Sequence, residues 1–238
     1  MSITAVVDYG VGNLFSLCSS LRAVSADIGA EVTVTADPTE IRRADRIILP
    51  GVGAFADAIA KLREAGLDQV LCEEAAQGKP IMGICLGMQL LFEESHEYGV
   101  HRGLGLIPGR VVPLEGYVPS DLKSPHIGWN PLHLHPAASG ATHPLLRSVR
   151  EGDCVYFVHS YFATDCDLPE GGSAVIASSE YGRDVTAAVA RGNVMGCQFH
   201  PEKSGAVGLS ILRAFCEGRP TLPNTPKRRQ AHEHFSCN

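Results

Sequence analysis

The segment 83–87, Gly-Ile-Cys-Leu-Gly, places a cysteine where covalent chemistry is possible. An apolar run precedes it and a helical pattern follows, which is the setting of a nucleophile elbow. The flanking glycines allow a tight turn, and the helix amino terminus favours the reactive thiolate of Cys85. The N–H of Leu86 is then the first donor available to an oxyanion. We therefore predict that Cys85 is a nucleophile; the alternative is one more buried structural cysteine among eight.

A cysteine nucleophile needs a base, and the base needs a group that orients it. His200 ends the apolar run 194–199 and is followed by Pro201 and Glu202. Residues two apart on a strand point to the same side, so the Glu202 carboxylate can hold the imidazole. The simpler alternative is a polar strand terminus. We predict a catalytic triad of Cys85, His200 and Glu202.

These residues need a sheet to position them, and the first hundred residues have the pattern of one. Helical patterns begin at Leu14, after Gly53 and at Leu86, the last expected to run to about Glu94. They alternate with short apolar runs that predict buried strands at 3–7, 31–35, 46–49 and 79–84. Such alternation predicts an α/β fold whose mostly parallel sheet has helices on both faces.

The second half of the chain has a different sequence pattern, in which short β-rich runs are separated by Gly, Pro and Asp. These runs predict antiparallel strands that extend or flank the first sheet, at 110–114, 155–158, 174–177, 186–190 and 194–199. A helix around 207–215 is expected to close the fold. We predict one domain over residues 1–217 and a disordered, Pro-rich, basic tail over 218–238.

Composition excludes several classes of function. The 238 residues are 45% hydrophobic and 19% charged, with a net charge of −6. The tail from Arg219 carries +3, so the rest of the chain has a net charge of −9, and we expect no nucleic-acid partner because such partners need clustered Lys and Arg. We expect no membrane span and no signal peptide, which favours a cytoplasmic location. The cysteines are scattered without metal-ligand spacing, so we predict neither a metal site nor a cofactor.

Other glycine-rich or aromatic segments carry weaker signals. Residues 8–13, Asp-Tyr-Gly-Val-Gly-Asn, lack the third glycine of a dinucleotide fingerprint. Residues 50–53, Pro-Gly-Val-Gly, follow a strand, and the Val52 N–H could supply a second oxyanion donor. Trp129 lies in the segment 126–130, interpreted as a polar loop, and could anchor an interface.

Taken together, these segments closely resemble the class I, triad-type glutamine amidotransferases. Within them the chain is most similar to the glutaminase subunits of imidazole glycerol phosphate synthase. The resemblance runs in family order from about residue 3 to 216. It is carried by the segments 8–14, 49–53, 80–89, 103–110, 126–130, 156–161 and 198–204.

The resemblance implies a three-layer fold and the hydrolysis of glutamine to glutamate and ammonia. It implies that Gly53, Gln89, His159, Ser160 and Tyr161 contact glutamine. It further implies transfer of ammonia to a cyclase subunit, a (β/α)8 barrel, for a step of histidine biosynthesis. By the same likeness the partner interface would include Asn13, Trp129, Asn130 and Lys203.

The family also implies little glutaminase activity until the loaded cyclase is present. Glycines at 51 and 53 allow the segment 50–53 to reorient, so we expect the Val52 N–H to point away from the site at rest. Two alternatives stay open: a related subunit serving anthranilate, aminobenzoate or pyridoxal phosphate synthesis, and a catalytically silent regulatory protein. The intact Cys85, His200 and Glu202 argue against the silent protein.

Overall fold

Short apolar strands and amphipathic helices alternate along the amino-terminal half. The computed structural model describes residues 2–12, 14–137 and 139–218. In these ranges the helices are α1 (Leu14–Ile28), α2 (Pro38–Arg43), α3 (Phe55–Glu64), α4 (Leu67–Ala76), α5 (Leu86–Gln89) and α6 (Gly205–Cys216). No helix of the described ranges has both the length and the apolar character needed to span a bilayer.

The strands of the described ranges are mostly four to eight residues long. In chain order they are β1 (Ile3–Val7), β2 (Glu31–Thr35), β3 (Arg46–Gly51), β4 (Ile81–Cys85), β5 (Phe92–Ser95), β6 (His101–Arg102), β7 (Ile107–Pro113), β8 (His126–Pro131), β9 (His133–Leu134), β10 (Cys154–His159), β11 (Tyr161–Thr164), β12 (Val175–Glu180), β13 (Asp184–Arg191) and β14 (Val194–Cys197). Short 3₁₀ turns occupy Pro144–Leu146 and Pro201–Lys203.

An eight-stranded sheet forms the centre, in the order β2-β1-β3-β4-β14-β13-β12-β9. The pairings from β2 to β14 are parallel, and those from β14 to β9 are antiparallel. The predicted mixed, mostly parallel sheet is therefore confirmed. Strand β14 returns beside β4 in register, with Cys197 opposite Ile84. That pairing places the end of β4, with Cys85, and the end of β14, which His200 follows, at the same edge of the sheet.

Alternate residues of the central strands pack on opposite faces of the sheet. On one face Val7, Ile47 and Leu49 join a core cluster with the buried residues of α3 and α4. On the other face Val6, Ile48 and Met82 join a cluster with α1 and α6. Two helical layers thus cover one sheet, and the prediction of helices on both faces is confirmed.

The helix expected from Leu86 to about Glu94 is wrong in its length. Helix α5 ends at Gln89, and Phe92 already begins strand β5. Strand β5 pairs in parallel with β7, and the carbonyls of Leu91 and Phe92 accept hydrogen bonds from backbone N–H groups of the segment 105–107. These long-range bonds compete with helical ones, and a local periodicity cannot show them.

The prediction of a loop over the segment 126–130 is also wrong. This segment forms strand β8, which pairs antiparallel with β10 over six residues, with Trp129 opposite Tyr156. Strands β11, β7, β5 and β6 form a further four-stranded sheet. Helices α2 and α4 were not predicted, although Leu67, Val70 and Leu71 of α4 are buried at helical spacing.

Candidate active site

Cys85 occupies a strained turn at the carboxyl end of β4. Its backbone has φ 54° and ψ −114°, a region that side chains with a Cβ rarely adopt. Glycines make the turn possible: a Cβ on Gly87 would lie 1.8 Å from the Leu49 carbonyl oxygen, and one on Gly83 2.6 Å from the Met88 Cα. The strain and the close approach together hold the sulfur at the strand end, as a nucleophile elbow requires.

His200 and Glu202 follow β14, the strand next to β4. The His200 Nδ1 lies 2.8 Å from the Glu202 Oε1, and both side chains are buried. This contact assigns Nδ1 to the carboxylate and leaves Nε2 for the sulfur of Cys85, with which the ring also hydrogen-bonds. The three predicted triad residues therefore meet at one edge of the sheet.

The electrostatics of this group favour a charged imidazole. Burial lowers the pKa of His200, but hydrogen bonds to Cys85 and Glu202, and the negative charge of both, outweigh burial and raise the pKa to about 9. A protonated His200 can give its proton to a leaving amine near neutral pH, which is the requirement for a general acid.

The raised pKa predicts a pH dependence of stability. The proton on His200 stabilises the folded chain fully below pH 6.5, the ordinary value, and this contribution is lost as pH rises through about 9. We expect the free energy of unfolding to fall over that window by up to about 3 kcal/mol, at roughly 1.4 kcal/mol per pH unit. Urea unfolding from pH 6 to 10 measures it. A His200→Gln variant should lose this slope; an equal slope in both proteins would contradict the assignment.

A cavity of about 540 Å³ opens beside Cys85 and His200. The residues predicted to contact glutamine all line it: Gly53, Gln89, His159, Ser160 and Tyr161. Val52, Leu86 and Lys203 line it too. The volume is in the range of small-molecule sites.

Hydrogen bonds tie one wall of this cavity to the sulfur. The Gln89 amide donates to the Tyr161 carbonyl at 3.0 Å and to the Gln198 Oε1 at 2.9 Å. The Gln198 Nε2 in turn lies 3.8 Å from the Cys85 Sγ. The His159 Nδ1 donates to the same Tyr161 carbonyl at 2.9 Å. The wall is thus held by side chains from three segments distant in sequence.

Two carboxylates of the cavity, Glu97 and Glu115, are absent from the sequence predictions. Glu97 follows β5, and its carboxylate accepts a hydrogen bond from the Phe55 N–H, which fixes it at the start of α3. No local motif marks either residue, because the loops that carry them meet only through the four-stranded sheet.

Three of the predicted partner residues, Trp129, Asn130 and Lys203, lie near one another, and Lys203 also lines the cavity. Trp129 is 56% exposed on β8, and its ring lies 6.0 Å from that of Tyr156. The Lys203 Nζ lies 5.7 Å from the same Tyr156 ring. Asn130 is half-buried, and its amide donates to the Glu180 carbonyl. Asn13 lies outside the described residues, as does the predicted tail beyond Gly218.

The segment 50–53 lies beside the Cys85 turn, since Gly51 pairs with Cys85 between β3 and β4, and Gly53 has φ 97°, a conformation that favours glycine. The Val52 side chain is half-exposed at the cavity rim. The direction of its N–H at rest stays a prediction.

The chain matches known proteins over most of its length. The family profile described as Glutamine amidotransferase class-I matches residues 5–217. The subunit HisH of imidazole glycerol phosphate synthase from Geobacillus sp. strain WCH70 is 48% identical, over 91% of this chain and 99% of its own length. Its counterpart from Methylococcus capsulatus is also 48% identical, over 92% and 98%.

Among solved structures, a chain of PurLQS from Thermotoga maritima superposes with a TM-score of 0.65 at 21% identity, covering 90% of this chain and 97% of that one. A structure described as a glutamine amidotransferase gives 0.63 at 18% identity, with 89% and 98% coverage. These likenesses concern the fold. Since the family profile spans nearly the whole described chain, this chain belongs to the class I glutamine amidotransferases.

Proposed function

We propose that this chain is the glutaminase subunit of an imidazole glycerol phosphate synthase and hydrolyses glutamine to glutamate and ammonia. The observation that carries the chemistry is the Cys85–His200–Glu202 group at the end of adjacent strands, open to a cavity. The partnership is supported by relatives that bear this subunit's name over nine tenths of the chain.

The geometry supports a two-step acyl transfer. The Cys85 thiolate attacks the side-chain carboxamide carbon of glutamine, and the Leu86 N–H, with that of Val52 once it turns inward, stabilises the oxyanion. His200 protonates the departing ammonia, which leaves a glutamyl thioester. His200 then takes a proton from water, hydroxide attacks the thioester, and glutamate leaves. Glu202 keeps the imidazole in the tautomer that both steps need.

Glutamine recognition is assigned to the walls of the cavity. Gly53, Gln89 and the segment 159–161 present backbone and amide groups that suit the amino-acid end of the substrate. The carboxylates of Glu97 and Glu115, which both line the cavity, would pair with the substrate ammonium.

We propose that the ammonia passes to a cyclase subunit, a (β/α)8 barrel, in a heterodimer. Trp129, Asn130 and Lys203, with Asn13, would form part of its docking surface, and docking would turn the Val52 N–H toward the site. Residues 1–217 would act as one domain in the cytoplasm, without cofactor, metal, membrane or nucleic acid. Residues 218–238 stay predicted as a tail.

The deciding experiment is ammonia release from glutamine, with and without the cognate cyclase and its ribotide substrate. Strong stimulation by the loaded cyclase supports the glutaminase, the partner and the gating together. Glutamine hydrolysis indifferent to the cyclase would keep the chemistry and remove the pathway assignment, while no hydrolysis in either case would contradict both. A structure of the isolated chain with both the Val52 and Leu86 N–H groups aimed at the sulfur would contradict the gating.

A further inference from the structure

A buried histidine pair connects the glutamine cavity to the edge of strand β8. The His159 Nε2 lies 3.1 Å from the His126 Nδ1, and the His126 Nε2 lies 3.0 Å from the Asn130 Oδ1. The Asn130 Nδ2 donates to the Glu180 carbonyl at 2.9 Å. Because His159 also donates to the Tyr161 carbonyl, one chain of contacts runs from the cavity wall to the half-buried Asn130.

The His126 ring is clamped, so its position is fixed. It stacks on the Tyr181 ring at 3.9 Å and on the Phe157 ring at 4.9 Å. The Tyr181 hydroxyl is itself anchored, since it donates to the Lys123 carbonyl at 2.7 Å. The ring nitrogens of His126 therefore keep facing the same two partners, and what can change is which nitrogen carries the proton.

This chain of contacts has one N–H donor fewer than it has contacts. Burial lowers the pKa of His126 and lowers that of His159 to about 3, so each ring carries a single N–H near pH 7. The chain of contacts has four junctions, which are the contacts between neighbouring groups from the Tyr161 carbonyl to the Glu180 carbonyl. The two ring N–H groups and the Nδ2 of Asn130 supply three donors for these four junctions. Both ends of the chain, the carbonyls of Tyr161 and Glu180, can only accept.

Two arrangements place the missing bond at different points. With the Asn130 Nδ2 on the Glu180 carbonyl, His126 must donate from Nε2, and two lone pairs then face each other between the rings. With the Asn130 amide turned over, His126 donates from Nδ1 to His159 and the ring pair is closed. The missing bond then lies at the outer junction, between the Asn130 amide oxygen and the Glu180 carbonyl, where a donor from another molecule can supply it.

We propose that His126 is a positioning residue that transmits the orientation of the Asn130 amide to His159 in the glutamine cavity. The inference rests on the proposed function, in which a cyclase docks at β8. A hydroxyl, amide or ammonium of the partner that donates at the outer junction favours the turned amide. The ring pair then closes, His159 is held from both nitrogens, and the Tyr161 carbonyl that also binds Gln89 is fixed for catalysis.

Replacing His126 by phenylalanine keeps the ring stack and removes both nitrogens. At saturating cyclase and ribotide we expect the stimulated kcat for glutamine hydrolysis to fall about tenfold, the effect of one hydrogen bond, with KM within about twofold. Asn130→Ala should have a similar effect. Because both residues act through one chain, the double variant should be no worse than either single one.

A matched control is His135→Phe, whose ring bonds only the Ser178 hydroxyl among the described contacts. It should leave the stimulated kcat unchanged, and cyclase turnover on added ammonia should be unchanged in every variant. If His126→Phe folds poorly in thermal denaturation, Asn130→Ala is decisive when its stimulated kcat is measured at saturating cyclase, where weaker docking no longer lowers the rate.

An unchanged stimulated kcat in His126→Phe and Asn130→Ala, or effects that multiply in the double variant, would overturn the proposed positioning role of His126. Absence of stimulation in the wild-type complex would instead overturn the proposed function.

Discussion

Replacing Cys85 with alanine should reduce glutamine hydrolysis by about 10³-fold or more, while the cyclase still turns over on added ammonia. The reason is that no other described sulfur lines the cavity, so the variant leaves His200 and Glu202 without a nucleophile to activate. Substrate contacts along the cavity walls are untouched. Glutamate release by the loaded complex measures glutamine hydrolysis, and ammonia-dependent synthesis on the same preparation measures the turnover of the cyclase.

Cys197 provides the matched control for this substitution. It lies on β14 in register with Ile84, is fully buried, and does not line the cavity. Cys197→Ala should cost about 1 kcal/mol of stability through a small void and leave glutamine hydrolysis within about twofold. Retained hydrolysis in Cys85→Ala, or an equal loss in Cys197→Ala, would refute the nucleophile assignment.

The chemistry could be predicted from the sequence because each part of it is local. The glycines at 83 and 87 and the cysteine between them share one turn, and His200 and Glu202 are two residues apart. Apolar runs then made a parallel sheet the expected scaffold, and parallel strands end at a common edge. Only the pairing of β14 with β4 was needed to bring the two segments together, and no spacing in the sequence reveals that pairing.

What the sequence did not show depends on long-range pairing. Glu97 follows strand β5, whose first residues were expected to continue a helix and which instead pairs in parallel with β7, Phe92 opposite Ile107. His126 lies on β8, which was predicted as a loop because its segment is polar and flanked by prolines. Its contact with His159 exists because β8 and β10 pair in a register that sets these two residues opposite each other.

The second large effect is expected at Gly87, and it concerns stability as well as catalysis. A Cβ there would lie 1.8 Å from the Leu49 carbonyl oxygen and 2.7 Å from its carbon, both backbone atoms of β3 that cannot swing aside. Gly87→Ala should therefore lower the free energy of unfolding by about 3 kcal/mol or more. It should also displace the Leu86 N–H from the oxyanion, so glutamine hydrolysis should be lost in whatever fraction folds.

Gly66→Ala separates this clash from the general cost of replacing glycine. Gly66 has φ 66° and no atom lies within 4 Å of the position that a Cβ would take, so alanine there meets backbone strain alone, about 1 to 2 kcal/mol. Urea unfolding followed by circular dichroism compares the two variants. If Gly87→Ala were no less stable than Gly66→Ala, the close approach of α5 to β3 would be wrong. The elbow would then have room to relax, and the strain at Cys85 would no longer explain how its sulfur is held at the strand end.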